Sequence, residues 1–221
     1  MIEYSYTDYE NYISSIINQN DCMEFIRNYH YTGILENLTY DLGKQYLNVI
    51  IEKYDEFFQM NKTLLYKLCC LNDSIGKPFK YPFSELNDIN CSAYNFRYIL
   101  HSLMILNYCK ELNLSEVDII EIGGGYGGLC FNLYNLSKCF NIKINSYSIF
   151  DLEIVSKLQK KVLDSILREE FINFMTSGNY EESKLKTNSF LISNYAYDEI
   201  GSSFKTQYKR RLSINIARMA F

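Results

Sequence analysis

Residues 117–128, Val-Asp-Ile-Ile-Glu-Ile-Gly-Gly-Gly-Tyr-Gly-Gly, constrain the chain more than any other stretch. An apolar, β-branched run without alternation, stopped by glycines and followed by Leu-Cys-Phe-Asn-Leu-Tyr-Asn-Leu, reads as a buried parallel strand, a tight turn and a helix. Backbone without Cβ turns sharply at positive φ and lets a ligand come close. The free N–H groups of the next helix favour an acceptor-rich or anionic group there.

The run fits two patterns. Gly123, Gly125 and Gly128 satisfy G-x-G-x-x-G, the dinucleotide fingerprint. Glu121, Gly123, Gly125 and Gly127 satisfy E-x-G-x-G-x-G, the first motif of class I S-adenosylmethionine (SAM) methyltransferases. Glycines alone do not choose between these, or between either and a purely structural turn. The strand before and the helix after are the context that a nucleotide-type ligand requires.

At 221 residues the chain can bury a substantial core. A formal net charge of -4 supplies no basic footprint, so no nucleic-acid partner held through its phosphates is expected, and small-molecule chemistry is favoured. Seven cysteines, two of them adjacent at Cys69 and Cys70, form no spaced framework, and with two histidines and no C-x-x-C no metal site is expected. Reduced thiols, an acidic tyrosine-rich start without a signal-peptide pattern, and no apolar run near the ~20 residues of a membrane span point to a cytoplasmic protein without a membrane partner.

Residues 1–90 read as a helical N-terminal region and linker. Apolar residues recur at helical spacing in three stripes: Tyr12, Ile13, Ile16 and Ile17; Tyr46, Leu47, Ile50, Ile51, Tyr54, Phe57 and Phe58; and Leu64, Leu65, Leu68 and Cys69. The segment 76–83 holds both prolines and is either a linker or a substrate-side loop. From residue 92 to about 112 the spacing predicts an amphipathic helix capped by Ser92, with Phe96, Ile99, Leu100, Leu103, Met104 and Leu106 on its apolar side. That helix carries His101, which is either packed or functional.

Residues 91–221 read as a Rossmann-like α/β domain. A helix over about 126–139 leads to an extended segment, 145–151, ending in Asp151. A carboxylate at that strand tip accepts hydrogen bonds from ribose hydroxyls, unless Asp151 only caps the following helix at 152–167. The run 189–200 is apolar and then abruptly polar, so Asn194, Tyr195, Asp198 and Glu199 either face the same crevice as the glycines or serve a turn.

Three ordered stretches, Ile-Glu-Ile-Gly-Gly-Gly-Tyr-Gly-Gly-Leu, Ile-Phe-Asp-Leu-Glu-Ile-Val and Leu-Ile-Ser-Asn-Tyr-Ala-Tyr-Asp-Glu-Ile, resemble the sugar O-methyltransferases among class I SAM-dependent enzymes. The resemblance covers roughly residues 76–215. It implies that Glu121, Gly123, Gly124, Gly125, Tyr126 and Gly127 hold the methionine part of SAM and that Asp151 binds its ribose. Asn194 and Tyr195 would line the site beside the methyl group. It also implies a small-molecule acceptor, a sugar or glycan, with Glu199 and Asp198 as first candidates for the base and His101 as second. The family's sheet has seven strands, and this sequence leaves no room for the later ones. The expected sheet is therefore incomplete at its C-terminal side, as in a truncated chain, or is completed by an oligomer or partner strand over the open edge. Two other function classes remain open: an NAD(P)-dependent oxidoreductase, and an inactive methyltransferase-like binding domain.

Overall fold

A computed structural model describes residues 5–18, 24–35, 38–86, 89–167, 171–176, 189–193 and 196. Helix α1 (Tyr6–Ile17) starts where the Ser5 hydroxyl accepts the Thr7 N–H, and buries Tyr9, Ile13 and Ile16 along one stripe. A single turn, α2 (Tyr29–Thr32), precedes the long α3 (Tyr40–Asn72), which leaves helical geometry at Tyr54 (φ -133°, ψ 34°). The second and third apolar stripes thus belong to one kinked element.

The proline segment is a loop that runs into a small antiparallel hairpin, β1 (Tyr81–Phe83) with β2 (Ile89–Cys91). Next comes α4 (Ala93–Glu111). Sequence spacing predicts an amphipathic helix, but Tyr94, Asn95, Tyr98, His101 and Ser102 are buried along with its apolar residues. The reason is packing from two sides, by α3 and by the helix after the glycines. Ser92 does occupy the cap position, yet its hydroxyl and N–H both donate to Asp73 at the end of α3, at 2.6 and 2.7 Å. The carboxylate of Asp73, not the serine side chain, fixes where α4 begins.

The larger sheet is parallel throughout, in the order β5-β4-β3-β6, with β3 (Glu116–Ile122), β4 (Lys143–Asp151), β5 (Ile172–Thr176) and β6 (Ser189–Ser193). The chain moves from β3 through β4 to β5 in one direction and then returns to the other side of β3. That reversal is the topological switch point of a doubly wound sheet, where ligands bind beyond the strand ends. The fold is α/β and Rossmann-like, with a helical N-terminal region. Helix α5 (Gly128–Ser137) begins two residues later than its sequence pattern predicts, because the turn uses residues up to Gly127; it closes in a 3-10 turn, Lys138–Phe140. Helix α6 (Glu153–Ile166) follows β4.

Two apolar clusters hold the layers together. One joins α3, α4 and α5 to Ile119 of β3 and to Tyr147 and Ile149 of β4. The other joins α1, Phe25, Ile26, Tyr31 and Leu38, Tyr94 and Tyr98 of α4, Tyr126 and the buried stripe of α6. The N-terminal helices therefore share their cores with the sheet and its helices. No helix among the described residues is long and apolar enough to cross a membrane.

Candidate functional site

The carboxyl end of β3 delivers Glu121 and the glycine turn. Gly127 sits at the cap of α5 with φ +94°, and a methyl group there would lie 2.7 Å from Cδ1 of Leu163 on α6. Gly127 is required by packing as much as by conformation. Gly125 differs: its φ is +55°, and a methyl group on it would meet nothing nearer than Leu35 Cδ1 at 3.8 Å. Its backbone is the open part of the turn, the place a ligand can approach. Gly124 packs on Ile149, and Gly123 lies against Ala196, the described residue just past β6.

Two carboxylates flank this turn. Glu121 is 1% exposed, and its Oε2 accepts a 2.8 Å hydrogen bond from the Tyr147 hydroxyl on the neighbouring strand. Burial pushes its pKa up to about 7, the tyrosine bond pulls it down in part, and the charge of Asp151 adds to the rise. Asp151, the last residue of β4, accepts from the Leu152 N–H at 2.9 Å, from Gln159 Nε2 at 2.8 Å and from the Gly124 backbone N–H. Burial raises its pKa to about 6 despite those bonds. Asp151 sits at the tip of β4 beside the turn, and it does not cap α6 as the sequence allowed: the cap position is Leu152, without a side-chain cap bond, and Asp151 holds only the Leu152 N–H just ahead of the helix.

Gln159 ties these parts together. Its Nε2 bridges Asp151 and the Gly125 carbonyl, at 2.8 and 3.0 Å, while its Oε1 is buried without a hydrogen-bond partner among the described residues. The sequence held a sign of this: a polar residue inside the buried stripe of Val155, Leu158, Val162 and Leu163. Tyr147 and Gln159 belong to the site by contact, and neither stands out in the glycine motif.

Tyr126 points away from the open backbone into the N-terminal helices. Its hydroxyl accepts from Asn72 Nδ2 at 2.9 Å, Asn72 also donates to Asn95 Oδ1 at 3.0 Å, and Asn95 donates to Asp73 at 2.9 Å. A buried polar chain therefore runs from the α3–α4 junction to the middle of the glycine turn. This chain anchors the turn from below.

His101 lies in the interior of α4, 5% exposed and edge-on to Tyr46 of α3. Burial, followed by the nearby charge of Arg97, lowers its pKa to about 4. It is neutral at physiological pH. Asn194, Tyr195, Asp198 and Glu199 lie outside the described residues. β6 ends just before them with Ser193 paired to Ile122, level with the last residue of β3.

No protein-family model matches the chain, and no curated protein does. Solved structures similar to it include two of low identity. One is an uncharacterized protein from Burkholderia thailandensis, 13% identical, with a TM-score of 0.38, covering 72% of this chain and 41% of its own. The other is a mutant of MtNAS solved in complex with S-adenosylmethionine, 18% identical, with a TM-score of 0.33, covering 86% of this chain and 72% of its own. The chain spans about two fifths of the length of the Burkholderia protein. The chemistry of the site has to be read from its own side chains.

Proposed function

We propose that the crevice beyond β3 binds S-adenosylmethionine and that the chain is a SAM-dependent O-methyltransferase acting on a sugar hydroxyl. The observation that carries the cofactor reading is the pair of buried carboxylates beside the glycine turn, with Glu121 directly beneath it. Buried carboxylates held at raised pKa favour a ligand that brings positive charge. SAM carries a sulfonium and an ammonium group. The pyrophosphate of a dinucleotide brings no positive charge to the same place, which favours SAM over the cofactor of an oxidoreductase.

When bound, SAM supplies an electrophilic methyl group. The residues of the chain bind, orient and move a proton. The open backbone at Gly125, with Glu121, Gly123, Gly124 and the main chain of Tyr126 and Gly127, would hold the methionine part, the Tyr126 side chain facing the N-terminal helices instead. Asp151 takes the ribose hydroxyls, and Asn194 and Tyr195 line the methyl side. Glu199 or Asp198 removes the acceptor hydroxyl proton, because an alcohol is a weak nucleophile at neutral pH. His101, with its low pKa and its packing against Tyr46, suits a structural role better than that of base. The sugar acceptor and the choice of oxygen rest on the three ordered sequence motifs. A reducing, cytoplasmic setting fits the six unbridged cysteines among the described residues.

Isothermal titration with S-adenosylhomocysteine (SAH) and, separately, with NADH tests the cofactor. Micromolar SAH binding that is lost in Asp151→Ala supports the reading. Tight NADH binding with no response to SAH would replace it with the oxidoreductase.

A further inference from the structure

Tyr31 on α2 is 2% exposed, and its Oη is buried without a hydrogen-bond partner among the described residues. Buried hydroxyls are nearly always satisfied, so an orphan calls for an explanation. Its surroundings supply one. The Leu35 N–H bonds to the Tyr31 carbonyl at 3.0 Å, and the Leu35 side chain is the group that lies over Gly125. Tyr31 is thus one helical turn from the cover of the open glycine.

Its ring lies 5.8 Å from that of Tyr9, centroid to centroid, and Tyr9 in turn lies close enough to Asp151 to feel its charge. The phenols of Tyr98, Tyr126 and Tyr94 also lie close enough to Tyr31 to interact with it electrostatically, and Tyr126 belongs to the turn itself. Two neighbouring hydroxyls are already engaged: Tyr126 accepts from Asn72, and Tyr94 accepts from the Leu38 N–H at 3.4 Å. Tyr31 alone among these named hydroxyls combines full burial with no partner. Burial also raises its pKa, so it stays a protonated donor across the physiological range.

We propose that Tyr31 is a ligand-binding residue whose Oη donates a hydrogen bond to an oxygen of the molecule bound over Gly125 and Asp151. This rests on the SAM reading above, under which the oxygen belongs either to the amino-acid carboxylate or to the ribose. The N-terminal helices then form the roof of the cofactor site, and a ligand satisfies the donor that the ligand-free fold leaves orphaned.

The test is Tyr31→Phe, which keeps the ring and removes only the hydroxyl. Wild type and variant are titrated with SAH and with methylthioadenosine, which keeps the ribose but lacks the carboxylate, and both are melted without ligand. The expected result is an SAH affinity about tenfold weaker in the variant, the order of one hydrogen bond, with a ligand-free melting temperature unchanged or higher. A loss confined to SAH assigns the carboxylate, and an equal loss with methylthioadenosine assigns the ribose. Equal SAH affinity of the two proteins would overturn the inference while leaving the SAM reading in place. A lower ligand-free melting temperature would also overturn it, since the hydroxyl would then have a partner in the ligand-free fold. Wild type that binds no SAH would overturn both readings.

Discussion

The Tyr147 hydroxyl donates to Oε2 of Glu121 across two parallel strands, and neither group reaches solvent. The bond stabilises the carboxylate only in part, because burial outweighs it and the pKa ends near 7. Glu121 therefore holds a proton more tightly in the folded chain than in the unfolded one.

That difference gives stability a pH dependence. For an acid raised from 4.5 to about 7, the folded state binds more protons than the unfolded state between those values. Its stabilising contribution is complete below pH 4.5 and is lost as pH rises through 7. The displacement corresponds to about 3 kcal/mol. Asp151, raised from 3.8 to about 6, acts in the same direction in its own window. Urea denaturation of wild type and Glu121→Gln from pH 4 to 8 should show the variant gaining on wild type as pH rises. Parallel pH profiles would contradict this assignment.

Ligand charge couples to the same protons. A cation beside the two carboxylates lowers their pKa values, so binding of SAM should release protons and strengthen relative to neutral-sulfur SAH as pH rises from about 5.5 to 8. Calorimetry in buffers of different ionisation enthalpy measures the release. A SAM-to-SAH affinity ratio independent of pH would mean that the sulfonium is not near these groups.

Neighbouring glycines should separate binding from folding. A methyl group at Gly128 collides with the Tyr98 ring, so Gly128→Ala should cost about 1–3 kcal/mol of stability by overpacking. Gly125→Ala makes only an ordinary contact, with Leu35 Cδ1 at 3.8 Å, and carries mainly the strain of its positive φ, about 1–2 kcal/mol. Its larger effect should be on SAH affinity, through blocked approach to the backbone. Melting curves and titrations on both variants check the contrast.

Asp73 should matter more than its sequence position suggests. Its carboxylate accepts from the Ser92 N–H, the Ser92 hydroxyl and Asn95 Nδ2, all buried. Removing it orphans the Ser92 N–H and hydroxyl, while Asn95 Nδ2 keeps the Ser92 carbonyl and hydroxyl oxygen as acceptors, so Asp73→Ala should cost about 2–3 kcal/mol in chemical denaturation. Because the same network reaches Tyr126 through Asn95 and Asn72, SAH affinity should fall as well.

Strand β3, its glycine turn and the apolar half of β6 were legible in the sequence because buried parallel strands write themselves as unbroken apolar runs, and β4 was legible from residue 145 to its end at Asp151. β5 was not: Ile-Asn-Phe-Met-Thr is short, mixed and only partly buried, so neither alternation nor an apolar run marks it. The polar partners of the site were hidden for a different reason. Asp73, Asn72, Asn95 and Gln159 are polar types that patterning assigns to the surface, and only tertiary packing shows that they satisfy one another inside. Tyr9 and Tyr31 were invisible among 21 tyrosines. Asn194, Tyr195, Asp198 and Glu199, chosen from sequence for the methyl side and the base, fall outside the described residues.

Helix α1 rests on α6, where Lys161 Nζ donates to the Ile17 carbonyl across 144 positions of sequence. On a ribosome adding roughly 5–20 residues per second, α1 emerges on the order of ten seconds before the helix it must dock against. Throughout that interval Tyr9, Ile13 and Ile16 lack the surface that covers them in the finished fold. Helix α1 is thus made well before the surface that lets it settle. A nascent chain arrested before residue 150 should leave α1 open to protease, and one arrested well past residue 200 should protect it.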